Sequence, residues 1–319
     1  MKFLILGAGA LGGYYGGLLH KGGADVTFLV RPHRADQLRN EGIRIKLVKE
    51  YYHAPVKVMT DDKLSEKFDV IFLTCKAYDL EAAIKSITPA VGDGTVVFPI
   101  LNGVNHIDIL IDCFGIDHIL AGVTQFLVNQ DKNGTILPTL HGSGGQKTVF
   151  GEIKGGTSKR CEDILGAMKI NMPDTSISNN ILNEIWSKLS GAGPSFAVAS
   201  LLQARAGKVA ETDISPRVVE SIFDESSAIC AAEGYPAPKD MRRICVNDLW
   251  GQKGSNYGQS ILADIENRRK TEGEHVIGDL VRRAKKHNIA TPLLEAALCK
   301  IQLHETIGRT PRHCSALTG

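Results

Sequence analysis
The chain has 319 residues, 43% hydrophobic and 23% charged, which excludes a disordered or fibrous protein and suits one or two domains with sizeable cores. Lys and Arg number 37 against 35 Asp and Glu, a formal charge of +2, and aromatics make up 6%, so no nucleic-acid or membrane surface and no base-stacking platform is expected. No apolar run approaches the roughly 20 residues that span a bilayer, and seven cysteines without a C-x-x-C pair point to a reducing cytoplasm rather than a disulfide or zinc framework.

From the N-terminus, short apolar β-rich runs alternate with helical patterns, the rhythm of parallel strands joined by helical crossovers. Strands are predicted at Lys2–Gly7, Asp25–Val30, Asp69–Cys75, Thr95–Leu101 and Ile119–Val128, and helices at Leu11–Lys21, Arg34–Asn40, Leu80–Ile87 and Ile107–Phe114. Together they predict an α/β fold with a Rossmann-type doubly wound parallel sheet. The apolar stretch Phe3–Leu19, with Ala8-Gly9-Ala10 as a small-residue site, has a signal-peptide look, but its glycines fit a phosphate loop better. Gly134–Ile153 reads as two more strands, with Gly142-Ser143-Gly144-Gly145 between them as a hairpin or longer turn. From Asn180 helical patterns take over, at Ile181–Ala206, Pro216–Glu233, Lys239–Trp250, Gly273–Lys286 and Pro292–Thr306, with Pro216 and Pro292 in first turns behind Ser215 and Thr291 as caps. The shift predicts a nucleotide-binding domain over 1–178 and an all-helical domain over 179–319, with 309–319 as a flexible tail.

Gly7-Ala8-Gly9-Ala10-Leu11-Gly12 is a G-x-G-x-x-G between a predicted strand and a predicted helix. The first glycine permits the tight turn, the second a close approach to pyrophosphate, and the third close packing of helix on strand. All six residues are therefore candidate cofactor contacts. An NAD site usually ends its second strand in Asp or Glu for the ribose 2′-hydroxyl, whereas this strand ends in Arg31. Arg31, with Arg34 one turn on, offers guanidinium forks for a 2′-phosphate, which predicts NADP(H) over NAD(H); Asp36 is the nearby acid left for a ribose.

Lys76 follows the strand Val70–Cys75, and Asn102 follows Val96–Leu101, both at strand ends where open α/β sheets bind ligands. Spacing alone also allows a surface lysine and a turn asparagine, and it allows Cys75 as a small core residue. In the helical half, Glu184-Ile185-Trp186-Ser187-Lys188-Leu189 puts Lys188 beside a bulky aromatic. Gln259-Ser260-Ile261-Leu262-Ala263-Asp264-Ile265-Glu266-Asn267-Arg268-Arg269-Lys270-Thr271-Glu272 follows, where Glu272 also reads as one solvated charge in a charged run. Histidine spacing gives no metal site, and none is expected.

With its glycine loop and downstream Arg, T-C-K-A and L-N-G at strand ends, W-x-K-L, and S-x-L-x-D-I-x-x-x-R-x-T-E, the sequence resembles the ketopantoate reductase family over most of its length. The resemblance implies that Lys188 is the catalytic lysine, protonating a 2-oxo oxygen as NADPH delivers hydride, and that Glu272 orients it. It further implies that Asn102, Ser260 and Lys76 contact substrate, and that Lys76, Asn102 and Glu272 also border the cofactor. The family's K-L-x-x-N-x-x-x-N is broken here, because Ala192 and Phe196 replace both asparagines; Ser190 and Ser195 are the candidate replacement hydroxyls. The reading that follows is reduction of ketopantoate to pantoate, on the way to pantothenate and coenzyme A. A reductase of another small 2-oxo acid and a non-catalytic NADP(H)-binding regulator stay open as alternatives, and the long helices leave room for a homodimer.

Overall fold
A computed structural model of the chain describes residues 1–139 and 147–309, and divides into two compact units, Met1–Ile185 and Trp186–Gly319. In the first unit four strands that read as apolar runs form the central sheet, since strands covered on both faces need no polar side, and Lys57–Met59, which the sequence pattern does not predict, closes one edge. The first two are β1 (Lys2–Leu6) and, after α1 (Ala10–Lys21), β2 (Asp25–Leu29). After α2 (Pro32–Glu41), β3 (Ile43–Lys46) and β4 (Tyr51–Ala54) come β5 (Lys57–Met59) and β6 (Val70–Leu73); α3 (Leu80–Ile87) then leads to β7 (Val96–Pro99). The sheet order is β5-β2-β1-β6-β7, parallel throughout, so the order reverses at β1. One face carries Phe72 and Phe98, with ring centroids 4.6 Å apart, and the other packs Leu4, Ile71 and Val97.

The remaining strands correct the sequence expectation in two places. After α4 (Asn105–Phe114), the single strand expected at Ile119–Val128 is two, β8 (Leu120–Thr124) and β9 (Leu127–Gln130). The chain breaks at Gln125, whose N–H bonds the Lys147 carbonyl, and Phe126 packs against the Tyr14 ring, centroid to centroid 5.0 Å. The next two strands, β10 (Ile136–Thr139) and β11 (Thr148–Glu152), are present but form no hairpin: β10 pairs with β9 and β3, and β11 with β8 and β12 (Thr175–Ile177), which follows α5 (Lys159–Lys169). The glycine-rich turn at 142–145 lies outside the described residues. Helix α1 is pressed between the central sheet and the β4-β3-β10-β9 sheet so closely that an added Cβ would stand 2.6 Å from Phe28 at Gly16 and 2.5 Å from Ile136 at Gly13.

The helical elements begin with α6 (Ile181–Leu202), which carries Pro194 inside it and ends earlier than expected, with α7 (Ala206–Val209) after it. Gly191 and Gly193 serve close packing in α6: an added Cβ would lie 2.7 Å from Met241 Sδ and 2.9 Å from Leu280 Cδ1. Then come α8 (Ser215–Ala232), α9 (Ser260–Glu266), α10 (Asp279–Lys286) and α11 (Pro292–Arg309). Two stretches expected as ordinary helix, Arg243–Leu249 and Glu274–Gly278, are π-helical. The first amides of α11 are capped by Glu225 of α8, which accepts from Leu293 and Leu294 N–H at 3.0 and 2.9 Å. No helix among the described residues is long and apolar enough to cross a membrane.

Candidate active site
In the first unit, the chain leaves β1 and turns at Gly7, where φ is +95°, a conformation suited to glycine. Gly9 then caps α1, and a Cβ there would meet nothing within 4 Å. At Gly12 a Cβ would lie 2.2 Å from the Gly7 carbonyl oxygen and 2.4 Å from Thr74 Oγ1. The third glycine therefore closes the strand–helix junction, while the second borders open space at a helix N-terminus, with its unpaired N–H groups and positive dipole end. The loop has the room and the donors that a dinucleotide pyrophosphate requires. Its Ala8 carbonyl, which would repel a phosphate, accepts instead from Arg34 at 2.9 and 3.2 Å and from Gln130 Nε2 at 3.1 Å.

The strands flanking β1 bring further groups to the same sheet edge. β2 leads to exposed Arg31, and β6 leads to Thr74, whose hydroxyl donates to the Leu6 carbonyl at 2.8 Å, then to half-buried Cys75 and exposed Lys76. Lys76 opens a short 3₁₀ turn, Ala77–Asp79, and Asp79 pairs with Arg31 at 3.1 Å. Of the two forks expected for a 2′-phosphate, Arg34 is spent on the loop and on Gln37, so Arg31 is the solvent-facing one. Asp36 is paired with Arg39 at 2.9 Å. Asn102 lies beyond β7, half-buried, just before Gly103 with φ of +79°.

In the second unit, Lys188 rides on α6 two residues after buried Trp186. The indole stacks on Tyr235, with centroids 5.4 Å apart and planes at 5°, and the Arg283 guanidinium lies 5.3 Å from its centroid. Arg283 is itself fixed by Glu233 at 2.6 Å and Asp279 at 2.8 Å, so an ion-pair cluster holds the Trp186 side of α6. Burial pushes the Lys188 ammonium down from its ordinary 10.5 to about 8, and the Glu272 carboxylate opposes that fall. A lysine so placed is protonated at pH 7 yet gives up its proton more readily than a surface lysine.

Glu272 is buried at the end of a turn that the sequence pattern does not explain by itself. Asp264 holds Arg269 at 2.8 Å, Arg268 takes a φ of +54°, and the α11 residue Glu305 accepts from Thr271 twice, from its N–H at 2.7 Å and its hydroxyl at 3.0 Å. His304 bonds the Arg269 carbonyl at 2.9 Å. Glu305→Ala leaves the buried Thr271 groups without that acceptor and is expected to cost about 1–3 kcal/mol. Urea unfolding should show a lower midpoint at unchanged slope; an unmoved midpoint would contradict this role.

Ser260 opens α9 and is exposed. The two serines expected to replace the family's amides do not face open space: Ser190 and Ser195 are wholly buried. Ser190 donates back to the Ser187 carbonyl at 2.8 Å, and Ser195 accepts from Trp250 Nε1 at 3.1 Å. Phe196 is buried as well, so this stretch of α6 is packing surface.

A glycine loop at the point where a parallel sheet reverses places the protein among dinucleotide-dependent oxidoreductases, and a desolvated lysine countered by a carboxylate suits those that act on CH–OH groups. Residues 3–155 match the family model described as Ketopantoate reductase PanE/ApbA, and residues 180–305 match the model of its C-terminal part. The chain belongs to the ketopantoate reductase family. It is 30% identical over 305 residues to the uncharacterized oxidoreductase YkpB of Bacillus subtilis, covering 96% of this chain and 99% of that one. To a 2-dehydropantoate 2-reductase of Lactococcus lactis it is 28% identical, over 92% and 94% of the two chains. A solved D-mandelate dehydrogenase, in a ternary structure with NADH and anilino(oxo)acetate, shares the fold with a TM-score of 0.84 at 22% identity, over 97% and 100% of the two chains.

Proposed function
We propose that this protein is an NADPH-dependent 2-dehydropantoate 2-reductase, and the observation that carries the reading is the half-buried, desolvated Lys188 opposed by the buried Glu272. Bound at the glycine loop, NADPH supplies a hydride to the 2-oxo carbon. Lys188 Nζ gives its proton to the oxygen as negative charge develops there, and Glu272 favours the charged lysine before the transfer. Asn102, Lys76 and Ser260 are assigned to binding the 2-oxo acid, with Lys76 attracting its carboxylate. Lys76, Asn102 and Glu272 are also assigned to the cofactor's surroundings. The relatives named 2-dehydropantoate 2-reductase support the substrate, and the Arg in place of an acid after β2 supports the 2′-phosphate. Arg31→Ala is expected to weaken NADPH binding roughly tenfold or more, by loss of a charge-assisted bond, and to leave NADH unchanged. An equal loss for both cofactors in a fluorescence titration would remove Arg31 from phosphate recognition.

A second reading keeps the chemistry and changes the 2-oxo acid. It is favoured by Ala192 and buried Phe196 where the family carries asparagines, since lost hydrogen-bonding groups alter selectivity more than reaction type. Comparing kcat/KM for ketopantoate with a panel of 2-oxo acids, followed as NADPH oxidation, separates the two. Ketopantoate as the best substrate supports the first reading and a larger 2-oxo acid the second. NADPH binding without turnover of any would make the protein a regulator.

A further inference from the structure
The sequence puts an arginine where an NAD site ends its second strand with an acid, and the fold supplies a carboxylate from elsewhere. Leu6 of β1 pairs with Leu29 of β2 on one side and Leu73 of β6 on the other, so the segments after β2 and β6 emerge on either side of the glycine loop. Arg31 comes from the first segment and Asp79 from the second, and their 3.1 Å ion pair bridges the strand ends where a dinucleotide's adenosine ribose is read.

From this geometry we propose that Asp79 is a specificity-determining residue that opposes Arg31 and sets the margin between NADPH and NADH. The inference rests on the cofactor reading above. The pair does little for the fold: the Arg31 side chain is 83% exposed and that of Asp79 39%, and such exposed pairs contribute about 0–1 kcal/mol. A ligand can therefore open it at small cost. A 2′-phosphate must take Arg31 away from Asp79 and then stand beside a carboxylate of its own sign. A 2′-hydroxyl, by contrast, donates a hydrogen bond to that carboxylate, as it does to the acid at the end of the second strand in an NAD site. Arg34 and Asp36 take no part in this balance, being bound to the loop and to Arg39. Lys76, at the head of the same turn, adds a second cation to that rim.

The test is fluorescence titration of the full chain with NADPH and with NADH, in the wild type, Asp79→Asn and Asp79→Glu. Asp79→Asn is expected to tighten NADPH about tenfold, equivalent to about 1.4 kcal/mol, and to weaken or leave NADH unchanged, whereas Asp79→Glu keeps a ratio of the two Kd values near the wild type. Because both cofactors are titrated on one preparation, a loss of folded protein cancels in the ratio. A ratio that stays put in Asp79→Asn overturns the inference alone. A wild type that binds neither cofactor overturns the cofactor reading and this inference with it.

Discussion
Lys188→Ala is expected to lower kcat by about 10² to 10⁴, the range supplied by a positioned proton donor, while leaving NADPH affinity unchanged. Alanine cannot protonate the oxygen, and the glycine loop and Arg31 lie elsewhere in the chain. Steady-state rates alongside a cofactor titration decide the matter, and a variant of unimpaired kcat would take Lys188 out of the mechanism. The pH profile gives the same residue a second signature. With the lysine held near 8, wild-type kcat should fall as pH rises through that value, because the donor loses its proton. Glu272 acts against the desolvation, so Glu272→Gln should move this limb to lower pH. Stability has the opposite slope. The folded value of about 8 lies below the ordinary 10.5, so between them the unfolded chain binds more protons and stability rises with pH. Below pH 8 the cost of burying the ammonium is present in full, and Lys188→Met should abolish the rise.

Gly12→Ala should be the most damaging small change in the first unit. Its Cβ would come within 2.2 Å of the Gly7 carbonyl oxygen and 2.4 Å of Thr74 Oγ1. Neither neighbour yields easily, since the Gly7 N–H is tied to the Leu29 carbonyl at 2.9 Å and the Thr74 hydroxyl to that of Leu6 at 2.8 Å. We expect a loss of about 3 kcal/mol or more, at the upper end for overpacking, and NADPH binding should be lost as the loop moves. Gly9→Ala is the control, because its Cβ meets no protein atom within 4 Å. That variant should unfold at the wild-type midpoint yet bind NADPH more weakly, as the methyl group enters the space assigned to pyrophosphate. Equal stability of the Gly12 and Gly9 variants would contradict these assignments of the two glycines.

What the sequence shows well is whatever is local and repetitive. The central strands are continuous apolar runs, and the glycine loop announces itself because strand, turn and helix follow one another directly. β3 and β4 are harder to see, since Arg44, Lys46 and Tyr51 leave one side of that sheet at solvent and blur the pattern. The break between β8 and β9 escapes notice because Phe126 turns into the core while staying apolar in the sequence. Lys188 and Glu272 are legible through their motifs, but the groups that fix their surroundings are not. Glu305 stands 34 residues from the Thr271 it holds, and Asp79 stands 48 residues from Arg31. Arg34 was legible as a cation and not as a support for the Ala8 carbonyl, which depends on how α2 returns to the loop.

The central claim is that hydrogen passes from C4 of the cofactor to the 2-oxo carbon of the substrate while the chain supplies the proton. The measurement that tests it most directly is the product formed from ketopantoate and NADPH deuterated at both C4 positions, in ordinary water, read by NMR. Pantoate carrying deuterium at C2, with no solvent hydrogen at that carbon, is the expected product. Pantoate with hydrogen at C2, or oxidation of NADPH with no 2-hydroxy acid formed, would contradict it.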